Sequence, residues 1–286
     1  MTTTEQSPNP VSTASSVPTT KGTALITGAS AGIGAVYADR LARRGYDLIL
    51  VARNAARLTA LAERLIAATG RSVKTLAIDL NDKAELATLE NVLRDDASIT
   101  LLVNNAGVGS VASVLDSDVD EMSAMIDLNI TALTRLTYAV APVFAAKGAG
   151  TIVNIASVVG IAVEALNGVY SASKSYVLSF GHALQRDLAN KGVRIQTVLP
   201  AATATEFWDV AGYAKQKEAA STMSAEDLVD AALVGLDQGE TVTIPTLQDG
   251  DDWARWEADR RLLAPKFSNA KPAPRYRLDN VASKSV

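Results

Sequence analysis

The chain has 286 residues, of which 48% are hydrophobic and 20% are charged, and its formal net charge is −4. This balance is typical of a globular protein with a sizeable core, and the negative charge argues against nucleic acid or a membrane surface as a partner. Cysteine is absent and His182 is the single histidine. The sequence therefore excludes disulfides and Cys-ligated metals, and we expect no metal site.

The two ends of the chain differ from its centre. Residues 1–20 are rich in Thr, Ser and Pro and lack the basic and apolar segments of a secretory signal. We interpret them as a flexible leader and expect a cytoplasmic protein, because no apolar run is long enough to cross a membrane. Residues 21–248 form one predicted domain. Residues 249–286 form a C-terminal extension that is partly helical, from Asp251 to about Leu263.

Short apolar runs alternate with longer helical patterns along the central domain. The predicted strands are Thr23–Thr27, Asp47–Val51, Val73–Ile78, Ile99–Val103, Thr151–Ile155, Val193–Leu199 and Thr241–Ile244. The predicted helices are Ala35–Arg44, Asn54–Thr69, Asp82–Asp96, Asp118–Ala146, Tyr170–Lys191 and Ser224–Gln238. Because the strands are almost continuously apolar, the sequence predicts an α/β fold, a doubly wound parallel sheet of about seven strands in a single domain. The polar segment Ala201–Ala220 is interpreted as a flap.

A glycine-rich segment connects the first predicted strand to the first predicted helix. Gly28, Gly32 and Gly34 are spaced G-x-x-x-G-x-G. Glycine allows a tight turn and a close approach of the backbone to a ligand, and the free N–H groups at a helix start suit a pyrophosphate. A loop that merely needs glycine is the alternative, but the order strand, glycine turn, helix favours a dinucleotide site.

Tyr170 and Lys174 are four residues apart, so a helix places both side chains on one face. A phenol has a pKa of about 10, and a nearby ammonium lowers that pKa. Such a tyrosine would exchange a proton with an alcohol or carbonyl oxygen that Ser157 also binds. The pair alone is weak evidence, but other candidate residues also follow strand ends, where doubly wound sheets bind ligands. These residues are Gly28, Arg53, Asp79, Asn105, Ser157 and Pro200.

Taken together, the segments from about Lys21 to Ile244 resemble the short-chain dehydrogenase/reductase family. Thr27–Gly34 resembles the cofactor loop of that family, and Asn104–Gly107 resembles the motif after its fourth strand. Pro200–Thr205 resembles the segment that contacts the nicotinamide, with Ala201 in place of the usual glycine. The resemblance implies a nicotinamide cofactor and reversible hydride transfer between an alcohol and a carbonyl.

The resemblance also implies roles for individual residues. Tyr170 would be the acid in reduction and the base in oxidation, and Lys174 would hold the nicotinamide ribose and tune Tyr170. Ser157 would bind the substrate oxygen, and Asn129 would hold a water in a proton relay. The cofactor would contact Gly28, Ser30, Gly32, Ile33, Gly34, Arg53, Asp79, Leu80, Asn105, Ala106, Gly107, Tyr170, Lys174, Pro200, Thr203 and Thr205.

The end of the second strand indicates which dinucleotide binds. The family's acidic position, which would bond the ribose 2′-hydroxyl of NAD, is occupied by Ala52, and Arg53 follows. A guanidinium binds a 2′-phosphate that a carboxylate would repel, so we predict NADP(H) rather than NAD. Against this, many NADP-preferring relatives also carry a basic residue before the middle glycine, where this chain has Ala31.

We therefore predict an NADP-dependent oxidoreductase that acts on a small-molecule carbonyl or secondary alcohol. The alternatives are an NAD-dependent alcohol dehydrogenase of the same family, a non-catalytic dinucleotide sensor or scaffold, and an interaction protein that uses its tail. By resemblance, the helices of Asn129 and Tyr170 would pair to give a homodimer or homotetramer. An apolar substrate pocket would be lined by Val108, Val159, Val163 and Leu166.

Overall fold

The computed structural model describes residues 20–276. The predicted leader therefore lies outside the described residues except for Thr20, and so does the end of the chain from residue 277. The chain divides into two compact units between Pro245 and Thr246, and each is described by itself.

Within the described residues, seven strands form one sheet. They are β1 Thr23–Thr27, β2 Asp47–Ala52, β3 Val73–Ala77, β4 Ile99–Asn104, β5 Gly150–Ile155, β6 Val193–Val198 and β7 Val242–Thr243. All neighbouring strands are parallel, in the order β3-β2-β1-β4-β5-β6-β7. The predicted doubly wound parallel sheet is confirmed.

Helices cover both faces of the sheet. The helices of the first unit are α1 Gly32–Arg43, α2 Ala55–Thr69, α3 Lys83–Asp95, α4 Val119–Ile126, α5 Leu133–Lys147, α6 Gly168–Leu188, α7 Phe207–Val210 and α8 Ala225–Gln238. Successive strand residues point to opposite faces. Ala24 and Ile26 of β1 accordingly pack with α1, α2 and α8, whereas Leu25 packs with α3, α5 and α6. The domain therefore has two cores, one on each side of the sheet.

The strand order places a crevice beside β1. The chain runs from β1 outward to β2 and β3, and then returns to β4 on the other side of β1. At such a switch point the connections leave the strand ends in opposite directions and open a ligand crevice at the carboxyl edge of the sheet. The glycine turn after β1 and the segment after β4 both border this crevice.

The long helix predicted over residues 118–146 is interrupted. α4 ends at Ile126, a π-helical turn covers Asp127–Ala132, and α5 then begins. Asn129 lies in this wider turn. Turns of this kind inside helices are often found at functional sites. α6 begins two residues before the predicted start, because Asn167 caps it by accepting hydrogen bonds from the N–H groups of Val169 and Tyr170.

In the second unit, residues 246–276 are described and form one helix, α9 Gly250–Leu263, followed by 3₁₀ turns at Ala264–Phe267 and Pro274–Tyr276. The Asp249 side chain caps α9, and Trp253 and Trp256 stack with their ring centroids 4.8 Å apart. None of the helices in the described part of the chain combines the length and apolar composition needed to cross a bilayer.

Candidate active site

A cleft of about 810 Å³ opens at the carboxyl edge of the sheet. Its size lies in the range of small-molecule and cofactor sites. Of the residues predicted to act in catalysis or to contact the cofactor, Gly34 and Asn129 are outside its lining. The predicted residues that line it are Gly28, Ser30, Gly32, Ile33, Arg53, Asp79, Leu80, Asn105, Ala106, Gly107, Ser157, Tyr170, Lys174, Pro200, Thr203 and Thr205.

The turn between β1 and α1 needs glycine for two different reasons. Gly28 and Gly32 have φ angles of +65° and +53°, in the left-handed region that side chains disfavour. Gly34 is needed for space, because a Cβ there would lie 2.6 Å from Asn105 Nδ2 and closer still to the carbonyl oxygen of Gly28. Gly34 therefore lets α1 pack against the turn, whereas Gly28 and Gly32 form part of the cleft wall.

Thr27 and Asn105 fasten the end of β1 to the end of β4. The Thr27 hydroxyl accepts hydrogen bonds from the N–H groups of Asn105 at 3.0 Å and Ala106 at 3.1 Å. The Asn105 amide donates to the carbonyl oxygens of Thr27 at 2.9 Å and Gly28 at 3.2 Å. Sequence reasoning included Thr27 only as part of a motif, but its hydroxyl holds two sides of the cleft together.

Tyr170 lies in the first turn of α6 with its side chain buried. The Ser157 side chain lies close enough to its phenol to affect the pKa of Tyr170. The Ser157 hydroxyl also donates to the carbonyl oxygen of Pro200 at 3.1 Å and accepts from the N–H of Val159 at 3.3 Å. Burial raises the pKa of Tyr170 to about 12, and the nearby Ser157 hydroxyl acts in the opposite direction.

Lys174 is buried one helical turn after Tyr170. Its Nζ donates to the carbonyl oxygen of Ile155 at 3.0 Å and lies 5.7 Å from the centroid of the Tyr170 ring. Burial lowers the pKa of Lys174 to about 8. The expected lowering of the Tyr170 pKa by a nearby ammonium is not seen here. The reason is that burial desolvates the phenol, and this is the largest influence on its pKa.

Asn129 lies behind the cleft wall and is buried. Its Oδ1 accepts from the N–H of Val108 at 3.0 Å, and its Nδ2 donates to the Val108 carbonyl at 2.9 Å and to Ser173 Oγ at 3.1 Å. A Cβ on Gly107 would lie 3.1 Å from Asn129 Oδ1 and 3.5 Å from Lys174 Nζ. The structure thus brings Asn129 Oδ1 and Lys174 Nζ close together, next to the Cα of Gly107.

Apolar side chains surround the Tyr170 end of the cleft. Met122 and Met125 of α4 form a buried cluster with Tyr170 and Val159, and Val108, Leu166 and Phe207 pack against it. These residues line the cleft, as predicted for Val108, Val159 and Leu166. The prediction was wrong for Val163, which is 42% exposed and is not part of the lining.

The flap, Ala201–Ala220, brings an aromatic side chain onto Tyr170. The rings of Phe207 and Tyr170 are 5.6 Å apart at 44°, and Trp208 fixes the flap by donating from its indole to the Thr203 carbonyl at 2.9 Å. A Cβ on Gly109 would lie 2.8 Å from Phe207 Cε2 and closer still to Cζ, so only glycine leaves room for this ring. Sequence reasoning missed Phe207, although aromatic residues in a polar flap were a usable signal.

The other end of the cleft is lined by charged side chains. Arg53 is exposed, and Arg57 and Glu206 line the cleft with it. Arg57 Nη1 and Glu206 Oε2 form an ion pair at 2.6 Å. Sequence reasoning identified Arg53 but neither partner of this pair.

Comparisons with known proteins agree with this geometry. The chain is similar to a short-chain dehydrogenase from Sphingobium yanoikuyae solved in complex with NADPH. The identity is 47% and the TM-score 0.87, over 89% of this chain and 100% of that chain. It is also similar to a bulky-bulky ketone specific alcohol dehydrogenase from Comamonas testosteroni, with 42% identity and a TM-score of 0.84 over 90% and 99% of the two chains.

An NADP-dependent 3-hydroxy acid dehydrogenase from Schizosaccharomyces pombe is 32% identical over 231 residues, which are 78% of this chain and 89% of the relative. The family described as short chain dehydrogenase matches residues 22–216, well over half of the sequence. The motifs, the sheet order and these comparisons agree, and the chain belongs to the short-chain dehydrogenase/reductase family.

Proposed function

We propose that this protein is an NADP-dependent oxidoreductase that transfers a hydride between nicotinamide and a carbonyl or secondary alcohol. One observation carries the proposal. Ser157, Tyr170 and a buried Lys174 lie close together in a cleft that a glycine turn also lines. This arrangement offers a proton donor and an oxygen-binding group beside room for a dinucleotide. The activities named for the relatives support the same reaction class.

The cleft lining fits a dinucleotide. Gly28 and Gly32 keep side chains away from the turn where a pyrophosphate would lie, and Arg53 lines the end of the cleft beyond β2. When bound, NADPH supplies the hydride. Arg53 would contact the 2′-phosphate, and Asp79 and Leu80 would flank the adenine. The NADPH complex of the relative from Sphingobium yanoikuyae supports the preference for NADP(H).

The protein's own residues would manage the proton. With a pKa of about 12, Tyr170 is protonated at neutral pH, and this is the form that donates to a carbonyl oxygen in reduction. Ser157 has one hydroxyl proton, which it donates in this structure to the carbonyl oxygen of Pro200. Turning that proton toward a substrate oxygen would give the oxygen two donors. Asn129 would help to renew the proton through a water next to Lys174.

We further propose that the substrate is a ketone with bulky apolar substituents. The cleft next to Tyr170 is lined by the side chains of Met122, Met125, Leu166 and Phe207, all of them large and apolar. Methionine adapts its shape to irregular apolar groups, and the aromatic ring of Phe207 provides a flat surface. The similar alcohol dehydrogenase from Comamonas testosteroni is described as bulky-bulky ketone specific, which supports the bulk of the substrate.

The test of the reaction is turnover of NADPH with a panel of aromatic and aliphatic ketones, with the alcohol product identified by chromatography. Tyr170→Phe should lower kcat by about 10²- to 10⁴-fold while NADPH still binds, because only the proton donor is lost. Unchanged turnover in this variant would exclude Tyr170 as the acid. Binding of NADPH without turnover of any ketone would favour the non-catalytic sensor or scaffold.

The cofactor preference has its own test, the titration of NADPH and NADH fluorescence with wild-type protein and Arg53→Asp. Wild-type protein should bind NADPH more tightly, and the variant should reverse the order because it repels the 2′-phosphate. Equal or tighter binding of NADH by the wild type would favour the NAD-dependent alcohol dehydrogenase instead.

We propose that α5 and α6 form an interface between copies of this chain. Tyr138 of α5 is 69% exposed and stacks on Phe180 of α6, which also stacks on Tyr176. An exposed aromatic cluster across two neighbouring helices is a surface that a second copy can cover. Light scattering should give the mass of a dimer or tetramer, and Tyr138→Glu should lower it. A wild-type monomer at working concentration would contradict this proposal.

A further inference from the structure

The ion pair between Arg57 and Glu206 has no role in the chemistry proposed above. Arg57 lies in the first turn of α2 and Glu206 in the flap, 149 residues apart in sequence. Both side chains are about half exposed, at 50% and 56%, and both line the cleft, as does Arg53, which lies four residues before Arg57. The first turn of α2 contains no acidic residue that could pair with Arg57. The carboxylate that Arg57 contacts is therefore that of Glu206 in the flap.

We propose that Arg57 is a second guanidinium for the 2′-phosphate of NADP(H), held by Glu206 until the phosphate replaces that carboxylate. The inference rests on the proposed function, because it concerns the same cofactor. The glycine turn itself contains no basic residue, because Ala31 precedes Gly32. Arg57 would supply that missing charge from α2.

Charge balance supports this exchange, in which the 2′-phosphate replaces the Glu206 carboxylate as the partner of Arg57. A phosphate monoester carries about −1.5 to −2 charges at neutral pH, which is more than Arg53 alone neutralises. Within the described residues, Arg53 and Arg57 are the basic side chains that line the cleft besides Lys174. A phosphate beside Arg53 would also repel the Glu206 carboxylate. Transfer of Arg57 from the carboxylate to the phosphate relieves this repulsion and creates charge-assisted hydrogen bonds.

The exchange would reach the substrate pocket through the flap. Glu206 lies between Thr205, whose Cγ2 would be 3.1 Å from a Cβ on Gly32, and Phe207, whose ring packs on Tyr170. Thr205, Glu206 and Phe207 are consecutive in the flap, and they contact the glycine turn, Arg57 and Tyr170 respectively. Breaking the ion pair with Arg57 would remove one of the contacts that hold the flap. NADH has no 2′-phosphate and would leave this ion pair in place. Binding free energies coupled in this way are reciprocal, so a bulky ketone should in turn favour NADPH over NADH.

The first experiment is a fluorescence titration of NADPH and NADH with Arg57→Gln. Arg64→Gln is the matched control, because Arg64 is an exposed arginine of the same helix outside the cleft. Arg57→Gln should weaken NADPH binding by about tenfold and change NADH binding by less than about twofold, since one charged contact to the phosphate is lost. Arg64→Gln should change neither. An equal effect on both cofactors, or none, would overturn the assignment of Arg57.

The second experiment uses Glu206→Gln, with the exposed flap residue Glu218→Gln as control. Freed from its ion pair, Arg57 should bind the phosphate more readily, so NADPH binding should tighten by about two- to fivefold, the range of an exposed ion pair. The gain should disappear in the double variant with Arg57→Gln. Weaker NADPH binding in Glu206→Gln, or a gain that persists in the double variant, would overturn the exchange.

The outcomes for the wild type separate this inference from the proposed function. If wild-type protein binds neither cofactor, the proposed function fails and the inference fails with it. If wild-type protein binds NADPH and reduces ketones while Arg57→Gln binds NADPH as tightly as the wild type, only the inference fails. Circular dichroism of each variant verifies that a loss of binding does not reflect a loss of fold.

Discussion

Gly109 controls how the flap covers Tyr170, and Gly109→Ala tests that control. The added Cβ would lie 2.8 Å from Phe207 Cε2 and closer still to Cζ, whereas carbon atoms in contact are about 3.5 to 4.0 Å apart. The Phe207 ring must therefore move by about 1 Å or more. It is the far end of a partly exposed side chain, so the ring can turn away without unfolding the domain.

The loss of stability in Gly109→Ala follows from the contact between Phe207 and Tyr170 that is broken. Separating the Phe207 and Tyr170 rings forfeits an aromatic pair worth about 0.5–1.5 kcal/mol, and the remaining overlap adds a similar amount. For a chain of this length, each kcal/mol lowers Tm by about 2–4 °C. The displaced ring also opens the pocket on the flap side. We therefore expect kcat/KM for bulky over small ketones to rise by about tenfold, the scale of one changed apolar contact.

The assay compares kcat/KM for a small and a bulky ketone in wild type, Gly109→Ala, Phe207→Ala and the double variant. Both single variants should change the ratio in the same direction, and the double variant should add little to Phe207→Ala because the two act through one ring. Gly168→Ala is the matched control, since a Cβ there would have open space. An unchanged ratio in Gly109→Ala, or full additivity, would refute the reasoning.

Two further predictions concern stability. Thr27→Val should lower the free energy of unfolding by about 1–3 kcal/mol, read from the urea midpoint, because the N–H groups of Asn105 and Ala106 lose their acceptor. The second prediction concerns pH. The folded-state pKa of Lys174 is about 8, below its ordinary value of about 10.4, so between these pH values the unfolded chain binds more protons than the folded chain. The free energy of unfolding should therefore rise from pH 8 to 10. Tyr170 has a folded-state pKa of about 12, above its ordinary value of about 10, so the free energy of unfolding should fall again above pH 10. Lys174→Met should abolish the rise in stability between pH 8 and 10. A urea midpoint that stays flat from pH 8 to 10 in wild type would contradict the burial of Lys174.

The fold could be predicted because its signals are local. A buried parallel strand is apolar along its whole length, so β1 was predicted with its observed bounds, and β3 differs by one residue at its end. The residues that follow strand ends could be predicted for the same reason, since the topology brings the carboxyl edges of all strands together. Gly28, Arg53 and Ser157 needed no knowledge of side-chain packing.

The contacts across the cleft could not be predicted, because no local pattern encodes them. Arg57 meets Glu206 across 149 residues, and the position of Phe207 depends on the absence of a Cβ at Gly109. The π-helical turn around Asn129 was also missed, because its apolar spacing continues that of the helices on either side. These features depend on how the flap and α4 pack, which is a tertiary property.

The helical spacing of Tyr170 and Lys174 was correct, but the electrostatic consequence drawn from it was not. Proximity alone suggests a phenolate stabilised by an ammonium, whereas burial disfavours both charged forms. Burial raises the pKa of Tyr170 to about 12 and lowers that of Lys174 to about 8, so desolvation favours the neutral pair. A protonated phenol next to Ser157 is ready to donate to a carbonyl oxygen, whereas oxidation requires the phenolate. We therefore expect reduction to proceed at neutral pH and alcohol oxidation to accelerate as the pH rises. An oxidation rate that falls between pH 7 and 10 would show that Tyr170 is not the base.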